Sequence, residues 1–332
     1  MSQKQIFMTG ATGYLGQVLT ELAISQGHTV RGLSRSEAKD ATLTRLGATP
    51  VRGDLETPDV LRAEAARADV VLHLADPLLG AGGMDTPYDK ILAIDAAAVD
   101  AMVAGLASSS SSSSSAGDGA DSSKTKTLVT TSGTMTAAAD PHGGETAEDS
   151  PLDLKSPIAR YKAWDHARAA AAGQGVRALC VRLPPFVYGR GGSGVRMFMD
   201  GAAAAGAATY IDGGATRTTS VHVDDAARLY LLAAERGRAG EVYNASAETG
   251  VTMRELQGAV AAVLGVPAVD LPREDAMGKM PPFLVNFLVT ENRASSQKAV
   301  TELGWRATQP GIVEDILKGS YVEVAKSLGK GE

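Results

Sequence analysis

The sequence lacks several features that would each point to a particular class of protein. Its 332 residues contain one cysteine, Cys180, inside the apolar run ALCVRL. A single cysteine excludes a disulfide within the chain, and a free cysteine in such a run is typical of core packing. We therefore expect a reducing compartment and no metal site. The net charge is −6 without a long basic run, which argues against nucleic acid as a partner.

Long hydrophobic segments are also scarce. The N-terminus passes directly into the strand-like run KQIFMTG, so we expect no signal peptide. The apolar stretch near the C-terminus, PPFLVNFLV, is too short to span a bilayer. With 44% hydrophobic and 21% charged residues the composition is that of an ordinary globular chain. We expect a cytoplasmic protein with no membrane partner.

Strand-like and helix-like segments alternate through the first half of the chain. Short apolar runs such as QIFMTG, DVVLHLAD and TKTLVTTSG are separated by helical patterns. Short apolar strands between helices predict a parallel sheet covered on both faces, an α/β fold of the doubly wound, Rossmann type. The pattern loosens after about residue 183 and predicts a smaller C-terminal substrate lobe. One helix there opens with a capping box, Thr252 followed by Glu255.

These patterns predict the domain boundaries. We assign residues 1–185 to a dinucleotide-binding domain, to which residues 218–246 return. The substrate lobe takes residues 186–217 and 247–332. A serine-rich stretch at 108–123 cannot bury apolar area and predicts a disordered surface loop.

The strongest local signal is a glycine motif. Gly10, Gly13 and Gly16 form G-x-x-G-x-x-G directly between a predicted strand and a predicted helix. One glycine permits the tight turn, another lets backbone amides approach a pyrophosphate, and the third lets the helix pack on the strand. The helix N-terminus then offers N–H donors and a positive dipole to phosphates. The motif predicts a dinucleotide site.

The end of the second predicted strand indicates which dinucleotide binds. A carboxylate there would bind the ribose 2′-hydroxyl of NAD, but this strand ends in Ser34 and Arg35. A hydroxyl and a guanidinium suit a 2′-phosphate, so we predict NADP(H) in preference to NAD(H). Asp54, after the third strand, has two interpretations: it accepts from the adenine amino group, or it is the N-cap of the next helix.

The chain resembles the extended short-chain dehydrogenase/reductase superfamily, the branch often labelled NAD-dependent epimerase/dehydratase. The matching pieces occur in family order: TGATGYLG, GDL, HLAD, LVTTSG, VRLPPFVYGRG, VHVDDAARLYLLA and LGW. The family pattern HxAA ends here in Asp76 instead of alanine. The resemblance implies cofactor contacts from Gly10, Thr12, Gly13, Tyr14, Leu15, Gly16, Ser34, Arg35, Asp54, Leu55, Leu74, Ala75, Asp76, Lys162, Pro185 and Val187.

The resemblance also implies a reaction centre. In the family a serine or threonine polarises a carbonyl oxygen, a tyrosine delivers the proton, and a lysine four residues later lowers the pKa of that tyrosine. Hydride transfer builds charge on oxygen, so a donor must lie within hydrogen-bond reach. Ser132, in TTSGT, matches the family serine. Its neighbours Thr131 and Thr134 could substitute for it.

The tyrosine and lysine can be aligned in two ways. In the first, Lys162 is the family lysine, Ile158 replaces the tyrosine, and Tyr161 occupies a serine position. In the second, Tyr161 is the acid, but the residue four positions later is Asp165. We favour the first because the distance from Lys162 to VRLPP fits the usual helix-plus-strand length. Tyr161 keeps a possible role in both, since positions 158 and 161 differ by about 60° and about 4.5 Å on a helix.

By position in the resemblance, an apolar and methionine-rich set would contact the substrate: Met84, Met135, Phe186, Tyr188, Met197 and Arg217. Such a lining suits a hydrophobic small molecule. Family members often form homodimers, so a homodimer is also expected.

Three functions remain open at this stage. The leading hypothesis is an NADP-dependent oxidoreductase that reduces a carbonyl, or oxidises an alcohol, of a hydrophobic small molecule with an atypical proton donor. The replaced tyrosine motivates a second, a non-redox isomerase, lyase or cyclase on the same fold. The third is a nucleotide-sensing binding protein without a reaction.

Overall fold

The computed structural model describes residues 3–79, 86–110, 125–154 and 160–329. Strands and helices alternate through the first half of these residues, as the sequence predicts. The strands are β1 (Gln5–Thr9), β2 (Thr29–Ser34), β3 (Thr49–Arg52), β4 (Val70–His73), β5 (Lys126–Gly133), β6 (Val176–Leu183), β7 (Phe186–Tyr188), β8 (Ala208–Ile211), β9 (Arg217–His222), β10 (Val242–Asn244), β11 (Glu248–Thr252) and β12 (Ala268–Leu271).

The helices have the following bounds: α1 (Tyr14–Ser25), α2 (Glu37–Arg45), α3 (Pro58–Arg67), α4 (Tyr88–Ser110), α5 (Tyr161–Ala171), α6 (Ser193–Ala205), α7 (Val223–Arg236), α8 (Met253–Leu264), α9 (Arg273–Lys279), α10 (Pro282–Leu288), α11 (Gln297–Leu303), α12 (Ile312–Lys318) and α13 (Tyr321–Leu328).

A seven-stranded sheet confirms the doubly wound α/β prediction. Its strand order is β10-β6-β5-β4-β1-β2-β3. β1 pairs in parallel with β2 and with β4, β2 with β3, and β4 with β5. The order reverses between β1 and β4, which opens a crevice at the carboxyl ends of these strands. In open α/β sheets that crevice is where ligands bind.

The chain divides into two compact units. The first contains residues 1–132, 154–182 and 227–243; the second contains 133–153, 183–226 and 244–332. A continuous apolar core fills the first unit between the sheet and helices α3, α4 and α5. Cys180 lies in this core, and burial raises the pKa of its thiol to about 11, as expected of a packing residue.

The second unit has its own core and two small sheets. One sheet has the order β11-β9-β7, and the other pairs β12 with β8. Helices α6, α8, α10, α12 and α13 supply most of the buried apolar side chains. α8 begins with the predicted capping box, because the Thr252 hydroxyl accepts from the Glu255 amide while the Glu255 carboxylate accepts from the Thr252 amide.

The observed boundaries differ from the predicted ones mainly at residues 133–153, which the sequence assigned to the first domain. Within the second unit the Thr134 hydroxyl donates to Asn292, and the Thr146 amide donates to the carbonyl of Arg293. Residues 218–226 also group with this unit, where the Thr219 hydroxyl donates to the carbonyl of Asn292. These contacts join segments that are about 70 to 160 residues apart, so a local sequence pattern does not predict them.

Helix α4 changes two expectations. It continues to Ser110, so residues 108–110 of the predicted serine-rich loop are helical, and the remainder, 111–123, lies outside the described residues. Residues 88–108 are also long and apolar enough to cross a membrane, by length and composition alone. The core helix of a globular protein passes the same test, and Val99, Met102 and Leu106 are buried in the core of the first unit.

Candidate active site

The glycine turn between β1 and α1 has the geometry of a phosphate cradle. Gly10 has φ +70°, and a Cβ there would lie 2.8 Å from the amide nitrogen of Ala75. A Cβ on Gly16 would lie 2.1 Å from the carbonyl oxygen of Gly10. α1 begins after Gly13, which caps it without a side chain. The turn therefore presents backbone at the start of a helix, where a pyrophosphate binds.

A hydrogen-bonded network of three side chains, those of Thr9, His73 and Asp95, lies next to this turn. The Nδ1 atom of His73 lies 2.7 Å from the hydroxyl of Thr9, and its Nε2 atom lies 3.0 Å from Oδ1 of Asp95. The Thr9 hydroxyl also accepts the amide of Ala75. Thr9 ends β1, His73 ends β4 and Asp95 belongs to α4. The network therefore joins these three elements at the point where the strand order reverses.

At the end of β2 the structure modifies the sequence interpretation. The Ser34 hydroxyl is buried and donates to Oδ1 of Asp40, and Nη2 of Arg52 donates to Oδ2 of the same carboxylate. These two donors, the hydroxyl first, hold the pKa of Asp40 below its usual value. Arg35 is exposed and makes no hydrogen bond or ion pair with the described residues. The guanidinium at 35 thus has no partner within the described part of the chain, whereas the hydroxyl at 34 already has an acceptor.

Asp54 is not the N-cap of α3, which was one of its two interpretations. The N-cap residue is Thr57, and Asp54 Oδ1 instead accepts the amide of Glu56 in the preceding turn. Asp54 is exposed, which leaves the adenine interpretation as a prediction. Leu55 is half-buried and packs against the core of the first unit.

The hydroxyls of the TTSGT segment have different surroundings. Thr131 donates to the carbonyl of His73 and lies 2.8 Å from the hydroxyl of Tyr230, and Thr134 donates to Asn292. Ser132 is 5% exposed, and its hydroxyl has no hydrogen-bond partner among the described residues. A buried polar group without a partner calls for an explanation. Of the three candidates, Ser132 is the one whose hydroxyl has no partner within the described part of the chain.

The start of α5 holds the two other predicted catalytic residues. Tyr161 is the first residue of α5 and is half-buried. It lies three positions before the buried Trp164, and therefore on the same face of the helix. Lys162 is exposed and makes no hydrogen bond or ion pair with the part of the chain that is described. Ile158 lies outside the described residues, so the choice between the two alignments stays open.

Asp76, the departure from the family pattern, forms an ion pair with the residue before Tyr161. Nη1 of Arg160 lies 2.5 Å from Oδ2 of Asp76, whose Oδ1 accepts the amide of Leu78. The half-buried Tyr88 lies within the influence of both charges. Its pKa is raised by burial, an effect opposed by Arg160 and assisted by Asp76. Sequence reasoning noted Asp76 but not its partner, since nothing local links positions 84 residues apart.

The predicted substrate residues that are described have different environments within the second unit. Phe186 and Tyr188 are buried, and the Tyr188 hydroxyl donates to the carbonyl of Pro310. Burial raises the pKa of Tyr188 strongly, which makes it a poor proton donor. Met197 is 57% exposed, and Arg217 pairs with Glu291 at 2.6 Å.

The remaining predicted contacts are less constrained. Met135, Pro185 and Val187 are half-buried in the same unit, and Met84 lies outside the described residues.

Sequence reasoning missed an aromatic row in the second unit. The ring of Phe186 lies 5.8 Å from that of Phe198 and 5.7 Å from that of Phe287, and Phe287 lies 6.5 Å from Phe283. Phe283 is 53% exposed, so the row runs from core to surface. The signal was available, because four of the five phenylalanines of the chain belong to this row.

The arrangement fits a nicotinamide dinucleotide. The glycine turn has the close backbone approach that a pyrophosphate needs, and the Ser132 hydroxyl is buried without a partner among the residues that the structure describes. Within the described residues no group of three or more His, Cys, Asp or Glu side chains could hold a metal ion.

Comparison with known proteins places this geometry in a family. The model of the NAD dependent epimerase/dehydratase family matches residues 6–246. An uncharacterized protein of Schizosaccharomyces pombe is 32% identical over 321 residues, 96% of this chain and 99% of the relative. A 2-alkyl-3-oxoalkanoate reductase of Stenotrophomonas maltophilia is 27% identical over 274 residues, 80% of this chain and 77% of the relative.

Solved structures agree on the fold. The UDP-glucose 4-epimerase of Thermotoga maritima, solved with UDP-glucose, superposes with a TM-score of 0.75 at 20% identity, covering 97% of this chain and 99% of its own. At that identity the likeness concerns the fold alone. The family match, which spans the glycine turn, the TTSGT segment and the start of α5, shows that the chain belongs to the NAD dependent epimerase/dehydratase family.

Proposed function

We propose that the protein is an NADP-dependent oxidoreductase that reduces the carbonyl of a hydrophobic small molecule, or oxidises the corresponding alcohol. One observation carries this proposal. The buried Ser132 hydroxyl has no partner among the described residues, while its neighbour Thr131 is fully engaged. A substrate carbonyl oxygen at this position would supply the acceptor that the Ser132 hydroxyl lacks among the described residues.

The proposal assigns a role to Ser132, Tyr161 and Lys162. The glycine turn would hold the cofactor, which would supply or accept the hydride when bound. Ser132 donates its hydroxyl proton to a hydrogen bond with the substrate oxygen, which stabilises the charge that develops there. Tyr161, on the inner face of α5, is the proposed proton donor, and Lys162 is proposed to contact the cofactor ribose.

The substrate class rests on the second unit and on one relative. The aromatic row ending in Phe283 offers apolar surface, as a hydrophobic substrate requires. The Stenotrophomonas maltophilia relative is named for reducing 2-alkyl-3-oxoalkanoates, which carry a ketone and alkyl chains. NADP as the preferred cofactor rests on Arg35 and on the sequence at the end of β2, where Ser34 stands in place of an aspartate or glutamate. A cytoplasmic location and a homodimer remain part of the proposal.

The test is NADPH consumption with a panel of hydrophobic ketones, in the wild type and in Ser132→Ala. We expect kcat to fall by about 100-fold in the variant, the usual loss for one oxyanion donor. We expect the thermal midpoint to stay unchanged, because the deleted hydroxyl has no hydrogen bond to lose within the described residues. Thr131→Val is the matched control and should lower stability through its two lost hydrogen bonds.

Other outcomes would favour the competing functions. Turnover of a substrate without net NADPH consumption would favour an isomerase, lyase or cyclase. Tight NADPH binding with no turnover of any carbonyl, and a protein partner whose affinity follows NADPH, would favour a sensor. Equal activity of Ser132→Ala and wild type would contradict the role given to Ser132.

A further inference from the structure

One guanidinium, one hydroxyl and one carboxylate meet at the carboxyl ends of β2 and β3. Ser34 is in register with Arg52 on the neighbouring strand, and Arg35 follows Ser34 directly. Asp40, in the first turn of α2, accepts from the Ser34 hydroxyl through one oxygen and from Arg52 through the other. The Arg52 side chain is 52% exposed and that of Asp40 is 27% exposed, so a ligand can reach both.

The guanidinium groups of Arg35 and Arg52 together carry the positive charge that a bound phosphate needs. A phosphate monoester carries close to two negative charges at neutral pH, so Arg35 alone leaves one of them uncompensated. Arg52 would compensate the second charge. The carboxylate of Asp40 presents two acceptor oxygens to a guanidinium and a hydroxyl, which is the bonding pattern a phosphate also offers. Asp40 thus binds the donors that a 2′-phosphate would need.

Asp40 stays charged at neutral pH. The hydrogen bond from Ser34, together with that from Arg52, lowers the pKa of this carboxyl, so protonation cannot release its partners. Only a competing anion or a change in side-chain conformation can do so. A 2′-phosphate brings such an anion, while the 2′-hydroxyl of NAD does not.

We propose that Arg52 and Asp40, together with Arg35, determine the choice between NADP and NAD. Asp40 is an internal competitor: it holds Ser34 and Arg52 when no 2′-phosphate is present, and the phosphate displaces it from Arg52. Binding of NAD leaves the Asp40 contacts in place. The inference rests on the proposed function only in requiring that a dinucleotide binds at the glycine turn.

The experiment compares three variants of the full-length protein: Arg52→Gln, Asp40→Asn and, as a matched control, Arg45→Gln at the other end of α2. Dissociation constants are measured by fluorescence titration for NADPH and NADH. Adenosine 2′,5′-bisphosphate and 5′-AMP serve as competitors that lack the nicotinamide half.

Opposite effects are expected from the two test variants. Arg52→Gln should weaken NADPH and the bisphosphate by about 10- to 100-fold, the contribution of one charge-assisted hydrogen bond, and leave NADH unchanged. Asp40→Asn should tighten NADPH binding by about 10-fold, because the 2′-phosphate no longer has to displace a charged carboxylate from Arg52. Arg45→Gln should change neither constant, and all three variants should keep the wild-type thermal midpoint within a few degrees.

The outcomes separate this inference from the proposed function. If the wild type prefers NADPH but Arg52→Gln changes nothing, or weakens both cofactors equally, the inference is wrong and the proposed preference stands. If the wild type prefers NADH and Asp40→Asn reverses that preference, the proposed preference is wrong and the inference stands.

Discussion

Two regions of the candidate site, the glycine turn and the start of α5, differ in how firmly the protein itself supports them. In the turn, Gly10 and Gly16 are fixed by close contacts with backbone, and Thr9, His73 and Asp95 tie the strands beneath it. At the start of α5, Lys162 has no partner among the described residues.

The difference separates binding from chemistry. A cradle for phosphate must exist before the cofactor arrives, because its donors are backbone amides that cannot rotate independently. A proton donor needs its final geometry only in the reacting complex, and catalytic hydrogen bonds are often loose without ligand. The turn should therefore tolerate almost no change, and the helix start should affect rate more than stability.

Gly16→Ala should have the largest effect. The new Cβ would lie 2.1 Å from the carbonyl oxygen of Gly10, which the backbone cannot accommodate without moving α1 away from β1. We expect a loss of about 3 kcal/mol in stability and at least 100-fold weaker NADPH binding. Differential scanning calorimetry and fluorescence titration measure the two.

Gly201→Ala is the control for this variant. Gly201 lies in α6 with no atom within 4 Å of its added Cβ, so the substitution should be neutral or slightly stabilising. If Gly16→Ala bound NADPH as tightly as Gly201→Ala does, the turn would not be the rigid cradle described above.

Tyr161→Phe should have the second largest effect, and on rate alone. Removing a positioned proton donor lowers kcat by about 100-fold or more. The half-buried phenol of Tyr161 has no hydrogen bond with the described residues, so its hydroxyl should contribute little to stability. Steady-state kinetics and thermal unfolding of the same preparation test both parts. Tyr88→Phe is the matched variant, since Tyr88 is half-buried near the Arg160 and Asp76 charges.

A rate loss in Tyr88→Phe but not in Tyr161→Phe would move the proton donor to the start of α4. It would also favour the alignment in which Tyr161 occupies a serine position.

Asp95→Leu should have an intermediate effect, on stability. The Nε2 atom of the buried His73 would lose its partner, and an unsatisfied buried donor costs about 1–3 kcal/mol. Asp95→Asn keeps an acceptor oxygen and should recover most of the loss. Asp100→Leu removes a more exposed carboxylate, paired with His166, from the same helix and should cost less than about 1 kcal/mol. Urea unfolding of the three variants gives the comparison; equal losses at 95 and 100 would show that the network next to the turn is unimportant.

The sequence predicted the turn better than the chemistry, for a physical reason. The glycine turn is encoded within seven residues, because a positive φ and a close helix–strand approach each demand glycine. The parallel sheet was also predictable, because each of its short apolar strands is encoded within a few consecutive residues. By contrast, Asp40 can be recognised as the acceptor of the Ser34 hydroxyl only once the rotation of α2 about its axis is known.

Contacts over long sequence separations were not predictable. The engagement of Thr134 with Asn292 decides that Ser132 and not Thr134 keeps its hydroxyl, yet these two partners are 158 residues apart. The Arg160–Asp76 pair likewise joins a helix start to a strand end. Single-sequence patterns describe which face a residue lies on, and pairings of this kind depend on how the faces meet.

The smallest effect is expected from that ion pair. Both side chains are partly exposed, 35% for Arg160 and 20% for Asp76, so solvent screens the attraction between them. A double-mutant cycle of Arg160→Gln and Asp76→Asn, followed by urea unfolding, should give a coupling energy below about 1 kcal/mol. A larger coupling would mean that the start of α5 is held as firmly as the glycine turn. The distinction between a rigid cradle and an adjustable catalytic helix would then fail, because one ion pair would tie the helix to the same crevice.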